Sequence, residues 1–247
     1  MHVWLITILL MVCSGQAGAA PDLVLVAGAT GRTGQLVVRE LNAAGYRVRA
    51  LVRDSDRARP VLGDLVDYAV GDVRQRATLD AALKGVRFVI STVGATRKDP
   101  ANAPEFVDFA GVRNLAEAAV AAKVERIVVV SSAGVTRKDH PLNKMFDNVL
   151  IWKGKGEMAV RESGVAYTIV RPGGLNDQPA AETRVRLEQG DRGTGFVSRA
   201  DVARVCVAAL RSTSARNRTF EVYGAPTPAV SDWDALFGRL IADEPSS

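Results

Sequence analysis

The chain has 247 residues, 47% of them hydrophobic, with a formal net charge of +5 and a pI near 9.5. This suffices for one large domain or two small ones, with a sizeable core. The basic excess is scattered arginine with no Lys/Arg block and no zinc-finger or RNA-binding signature, so no nucleic-acid partner is expected.

The first segment stands apart. Val3 to Cys13 is almost unbroken apolar, and Ser14-Gly15-Gln16-Ala17-Gly18-Ala19 follows, small residues ending in A-x-A. That is the pattern of a secretory leader, although no Lys or Arg precedes it. The apolar run is too short to span a bilayer comfortably. Three readings stand: export or membrane association through this leader, an uncleaved anchor, or a start codon placed upstream of a cytoplasmic protein. Residues 1–20 are therefore expected as a leader and residues 21–247 as one domain.

Beyond it, strand-like and helix-like segments alternate. Leu23–Ala27 predicts a buried strand. Gly34–Ala44 predicts a helix stopped by Gly45. Strands follow over Arg47–Val52 and Val66–Val70, then a short helix over Ala77–Leu83 and a strand over Phe88–Thr92. Glu105–Ala122 predicts a long helix with Val107, Val112, Leu115 and Ala119 on one face. Arg126–Val130 is the next strand, Asn143–Ser163 a helix and Tyr167–Val170 a strand. Gly173–Ser198 has no core pattern and is expected to build a ligand pocket. Ser198–Asp201 forms a capping box before a helix over Ala200–Leu210. A late strand, Phe220–Tyr223, and a helix, Asp232–Ile241, complete the chain. Continuously apolar strands separated by helices predict an α/β fold: a single doubly wound Rossmann domain with a mostly parallel sheet.

Two cysteines, Cys13 and Cys206, and two histidines, His2 and His140, support neither an internal disulfide nor a metal site. Cys206 falls in an apolar helical pattern and is read as core.

The chemistry concentrates after the first strand, in Gly28-Ala29-Thr30-Gly31-Arg32-Thr33-Gly34. A G-x-x-G-x-x-G run between a strand and a helix suits a pyrophosphate. Gly28 permits the turn, Gly31 lets the backbone approach the anion, and Gly34 lets the helix pack closely. The N–H groups at the helix start receive the charge. Thr30, Arg32 and Thr33 complete the loop as cofactor-binding candidates. The second strand ends at Arg53, where an NAD site usually carries an acid. Arg53, with Arg32 within reach, suits a 2′-phosphate and predicts NADP(H) over NAD(H), although Asp54 follows directly. Asp72 and Val73, at the end of the third strand, would meet the adenine edge; Asp72 also reads as a helix cap.

The glycine loop, Leu51-Val52-Arg53-Asp54, Gly71-Asp72-Val73, Ser131-Ser132-Ala133-Gly134 and Tyr167 to Leu175 (YTIVRPGGL) together resemble the atypical short-chain dehydrogenase/reductases. The similarity is to the NmrA-like and biliverdin/flavin-reductase-like NAD(P)-binding group, over Leu23 to about Tyr223. It implies that Thr92, Val93 and Gly94 line the ribose side and that Ser132 is the active-site serine. Arg171, Pro172 and Gly173 would lie near the nicotinamide. Typical members also carry Tyr-x-x-x-Lys, in which the lysine holds the ribose and activates the tyrosine. Here Lys153 fits best, with Glu157 four residues later, and Val149 takes the tyrosine's place. In the register of Lys155, Ile151 takes it.

Neither residue can donate a proton. Alcohol–ketone chemistry is thus in doubt, while hydride transfer to a flavin- or quinone-like acceptor needs only binding and orientation. The alternative is a non-catalytic protein that senses NADP(H) or assembles with a protein partner.

Overall fold

The computed structural model describes residues 20–95, 99–179, 185–225 and 232–244. The leader lies outside the described residues. Among the described residues ten strands are present: β1 (Leu23–Ala27), β2 (Arg47–Val52), β3 (Asp67–Val70), β4 (Phe88–Ser91), β5 (Arg126–Val130), β6 (Tyr167–Pro172), β7 (Gly174–Asn176), β8 (Val185–Glu188), β9 (Phe196–Ser198) and β10 (Arg218–Gly224). The helices are α1 (Arg32–Ala43), α2 (Ser55–Leu62), α3 (Leu79–Ala82), α4 (Val112–Ala121), α5 (Pro141–Met145), α6 (Val149–Glu162), α7 (Arg199–Ala209) and α8 (Trp233–Phe237).

Eight strands form one sheet in the order β3-β2-β1-β4-β5-β6-β10-β8. Every pairing is parallel except that of β8 with β10. The expected doubly wound α/β architecture is observed. The residues of β1 are buried on both faces, as period-two alternation in a covered parallel sheet requires. Val24 and Val26 pack with Val37 and Leu41 of α1 and Val202 and Cys206 of α7. Leu23 and Leu25 pack on the other face with Leu115 and Ala119 of α4 and Val160 of α6.

Some expectations are refined. The predicted helix over Asn143–Ser163 is two helices, because Asp147 and Asn148 take positive φ (50° and 58°) and break the ladder between α5 and α6. The long helix begun at Glu105 winds as a π-helical turn over Glu105–Gly111 before becoming α4. Helix α2 was not anticipated; its cap is the Asp54 carboxylate, which accepts the N–H groups of Asp56 (3.0 Å) and Arg57 (3.1 Å). Within Gly173–Ser198, β7 and β9 pair as a small parallel ribbon, Gly174 opposite Phe196.

Candidate cofactor cleft

The glycine loop stands at the carboxyl end of β1, at the sheet's switch point between β1 and β4, where ligands of open α/β sheets bind. Gly28 adopts φ +79°, and a Cβ there would lie 2.9 Å from the Thr92 carbonyl. The Thr92 hydroxyl donates to the carbonyls of Ala27 and Gly28, tying the loop to β4. At Gly34 a Cβ would stand 2.2 Å from the Gly28 carbonyl oxygen, so close packing of α1 needs glycine.

Gly31 is the N-cap of α1 and supplies no side-chain cap, and no acidic residue occupies the first turn. Among the described residues, the backbone N–H groups of Arg32, Thr33 and Gly34 find no acceptor. Three open donors at a positive helix end form a seat for an anionic group. Their number and direction suit a cofactor pyrophosphate.

Beside this seat is a cavity of about 230 Å³, lined among others by Gly28, Thr30, Gly31, Arg53, Asp72, Val73, Thr92, Val93 and Gly94. Nine of the sequence-selected residues thus meet in one place. Arg74, Asn102 and Val107 line it too, and were missed. Arg74 was within reach of a sequence argument, since it follows Gly71-Asp72-Val73 directly. Asn102 lies in a short 3₁₀ turn whose return to the cleft no local pattern announces.

Arg53 Nη1 donates to Asn102 Oδ1 at 3.0 Å. Arg74 grips Asp72 through its Nε, at 3.0 Å from both carboxylate oxygens, and through Nη2 at 2.6 Å. Burial alone would raise the Asp72 pKa, but the Arg74 hydrogen bonds outweigh it and hold the carboxyl below its usual range. Thus Asp72 is an acceptor anchored beside the cleft, and Asp54 spends its carboxylate on the α2 cap. Arg32 is elsewhere: it pairs with Asp177, and the two help line a separate groove with Arg39 and Arg199.

The residues assigned to the nicotinamide end occupy the carboxyl ends of β5 and β6 and the first turns of α6. The half-buried Ser132 donates its hydroxyl to the Ala133 carbonyl at 2.9 Å. The Ala133 N–H donates to the Pro172 carbonyl (2.9 Å), which joins the serine loop to the Arg171-Pro172-Gly173 turn. Gly173 is packed so tightly that a Cβ would meet the Gly195 carbonyl oxygen at 2.4 Å. Lys153 Nζ donates to Asp108 Oδ1 at 2.6 Å, whereas the exposed Lys155 lies 4.1 Å from the Trp152 ring centroid. Of the two lysine registers, only Lys153 turns inward. Ser132 and Lys153 share no hydrogen bond.

Arg171 is deeply engaged. Its guanidinium bonds Glu157 twice (2.9 and 2.7 Å) and Glu221 once (3.1 Å). Burial alone would depress its pKa; the two carboxylates push it up instead. Glu157 also accepts from Ser131 (2.6 Å). Glu221 accepts the Asp191 N–H, and Asp191 accepts the N–H groups of Gly134 and Thr136. This chain of bonds braces the serine loop from below. No tyrosine lines the cavity; the Tyr167 hydroxyl donates to Asp243 and that of Tyr223 to the Gly193 carbonyl. Among the described residues no cluster of His, Cys, Asp and Glu could hold a metal ion.

Residues 28–213 match a protein family described as NAD(P)H-binding. The chain is 34% identical over 255 residues to an uncharacterized chloroplastic protein of Arabidopsis thaliana, covering 92% of this chain and 78% of that one. It is 31% identical over 261 residues to sanguinarine reductase of Eschscholzia californica, covering 88% and 95%. An anaerobillin reductase of Escherichia coli shares the fold, with TM-score 0.72 at 23% identity over 85% of this chain and 100% of that one.

Proposed function

The chain belongs to the NAD(P)H-binding family, as an atypical short-chain dehydrogenase/reductase, and on that premise we propose that it is an NADP(H)-dependent reductase of a planar, flavin- or quinone-like acceptor. The observation that carries the reading is the uncapped start of α1 beside a cleft whose rim presents Arg53 and Arg74. In this reading the N–H groups of Arg32, Thr33 and Gly34 hold the pyrophosphate, and Gly31 leaves room for it. Arg53 takes the 2′-phosphate, which favours NADP(H) over NAD(H), since the Asp54 carboxylate is spent on the α2 cap and the residue after β2 is an arginine. Asp72 and Val73 border the adenine, and Thr92, Val93 and Gly94 the ribose. Bound NADPH supplies a hydride. Lys153 orients the nicotinamide ribose, Ser132 offers a hydroxyl to the acceptor, and the Arg171-Pro172-Gly173 turn walls the pocket. With Val149 and Ile151 where a phenol would stand, the chain contributes no tyrosine proton, so the acceptor takes its proton from solvent. The sanguinarine reductase relationship supports a planar acceptor.

A second reading follows from the same missing phenol: a non-catalytic protein that senses NADP(H) and passes its state to a protein partner. NADPH consumption over a panel of flavin, quinone and carbonyl acceptors, run beside calorimetry of NADPH binding, separates the two. Tight binding without turnover of any acceptor defeats the reductase reading. The leader remains a proposal of export or membrane association. Among the described residues, no helix is long and apolar enough to cross a membrane.

A further inference from the structure

The π-helical turn Glu105–Gly111 touches the cofactor cleft and α6 at once. Val107 lines the cleft. Gly111 packs against Val73, where an added Cβ would lie 2.7 Å from Val73 Cγ2. Between them Asp108 turns inward, its side chain fully buried. Its Oδ1 accepts from Lys153 Nζ at 2.6 Å, and its Oδ2 accepts from the Ala95 N–H at 3.0 Å. One carboxylate therefore holds both the lysine and the end of the loop that carries Thr92, Val93 and Gly94. A Cβ on Gly94 would lie 3.9 Å from Asp108 Oδ1, so this loop rests against the carboxylate.

The approach of α6 is built for this contact. At Gly156 a Cβ would stand 2.2 Å from the Asp108 carbonyl oxygen, so only glycine admits the helix this near. Lys153 precedes Gly156 by three residues and shares its face. A buried carboxylate is costly, and an apolar pair of similar volume would pack at least as well. Insertions that widen a helix to π geometry are frequent at functional sites. The ammonium keeps a little exposure and has three donors, of which Asp108 takes one.

We propose that Asp108 is a positioning residue: through the π turn it fixes Lys153 and the Thr92–Ala95 loop in one arrangement, so that the cofactor ribose meets a lysine already in place. The proposal rests on the reading of Lys153 as a cofactor ligand. It assigns a role to an acid that sequence reasoning passed over, although an aspartate between the core residues Val107 and Val112 was a signal.

The test is a double-mutant cycle on NADPH affinity, measured by calorimetry on the full chain, with thermal melts confirming that each variant is folded. Asp108→Asn is expected to weaken NADPH about tenfold. In a Lys153→Met background the same substitution is expected to cost almost nothing, because the asparagine amide oxygen can still accept the Ala95 N–H and what is lost is the hold on the lysine. Where Lys153→Met strands the buried carboxylate and fails to fold, Lys153→Gln, which can still donate to it, replaces it. Wild-type affinity in Asp108→Asn, or an equal loss in both backgrounds, overturns the proposal. The cycle needs no turnover, so a chain that binds NADPH and reduces nothing defeats the reductase reading alone.

Discussion

Replacing Arg53 by alanine tests the cofactor assignment most directly. Arg53 is exposed at the end of β2 and is steadied by Asn102 Oδ1 at 3.0 Å, so its guanidinium is held at the cleft before any ligand arrives. A hydrogen bond to a charged group contributes about 1.5–3 kcal/mol. Exposure and screening put this site at the lower end of that range. A loss of about 1.5 kcal/mol is roughly tenfold in affinity. Arg74 cannot fully compensate, because Asp72 and the Ala101 carbonyl already engage it. Arg53→Ala is therefore expected to weaken NADPH about tenfold and to change NADH less than about twofold, and the NADPH loss should shrink as salt is raised. Calorimetry with both nucleotides at two ionic strengths measures this. Equal wild-type affinities for NADPH and NADH, unmoved by the substitution, would refute the reasoning.

Gly31→Val should abolish NADPH binding while the domain still folds, since a Cβ there meets only the Gly28 carbonyl at 3.2 Å; a retained ligand-induced rise in melting temperature counts against it. Gly34→Ala, forced to within 2.2 Å of the same carbonyl, should instead lower the melting point by several degrees without ligand. Glu157→Gln leaves Arg171 half-paired in the interior and should cost about 3–5 kcal/mol, seen as a shift in the urea midpoint; an unchanged midpoint would dismiss the network as ornament. Burial works to raise the Asp191 pKa, but the N–H groups of Gly134 and Thr136 outweigh it and leave it lowered. The stability it contributes is thus complete above about pH 4 and is lost as pH falls through the lowered folded value. Asp191→Asn should flatten that acid limb in pH-dependent unfolding, and an undiminished limb would assign it to other carboxylates. If the leader is cleaved, mass spectrometry should find the mature N-terminus at Ala20 or Pro21; a chain that retains Met1 opposes cleavage.

Legibility followed the physics of each element. β1 and β5 were readable to the residue because strands buried on both faces are near-continuous apolar runs, whereas β2, with Arg47 exposed and Arg49 half-buried, was readable from Val48 and its apolar end Ala50–Val52. Helix α2 was not readable: Ser55–Leu62 is half polar and contains Pro60, with Ala58 its one buried residue. What makes it a helix is the Asp54 cap. That cap also engages the Asp54 carboxylate beside Arg53. The break between α5 and α6 depends on two left-handed residues, Asp147 and Asn148, which a periodicity argument averages over.

The site divides along the same line. The glycine loop, Arg53, Asp72 and the Thr92–Gly94 segment are fixed by their place at strand ends, so sequence order alone brings them together. Where a side chain turns is a different matter. Arg32 lies in the loop by sequence yet pairs with Asp177, and Arg171 lies beside the expected nicotinamide yet is committed to Glu157 and Glu221. Both outcomes depend on partners more than a dozen residues away. Composition at a position survives where orientation does not: a valine at 149 or an isoleucine at 151 lacks a phenol in any conformation. The remaining tyrosines are bound up elsewhere or lie off the cleft. In the proposed reductase, orientation falls to Lys153, and Lys153 is held by Asp108 of the π turn at 2.6 Å.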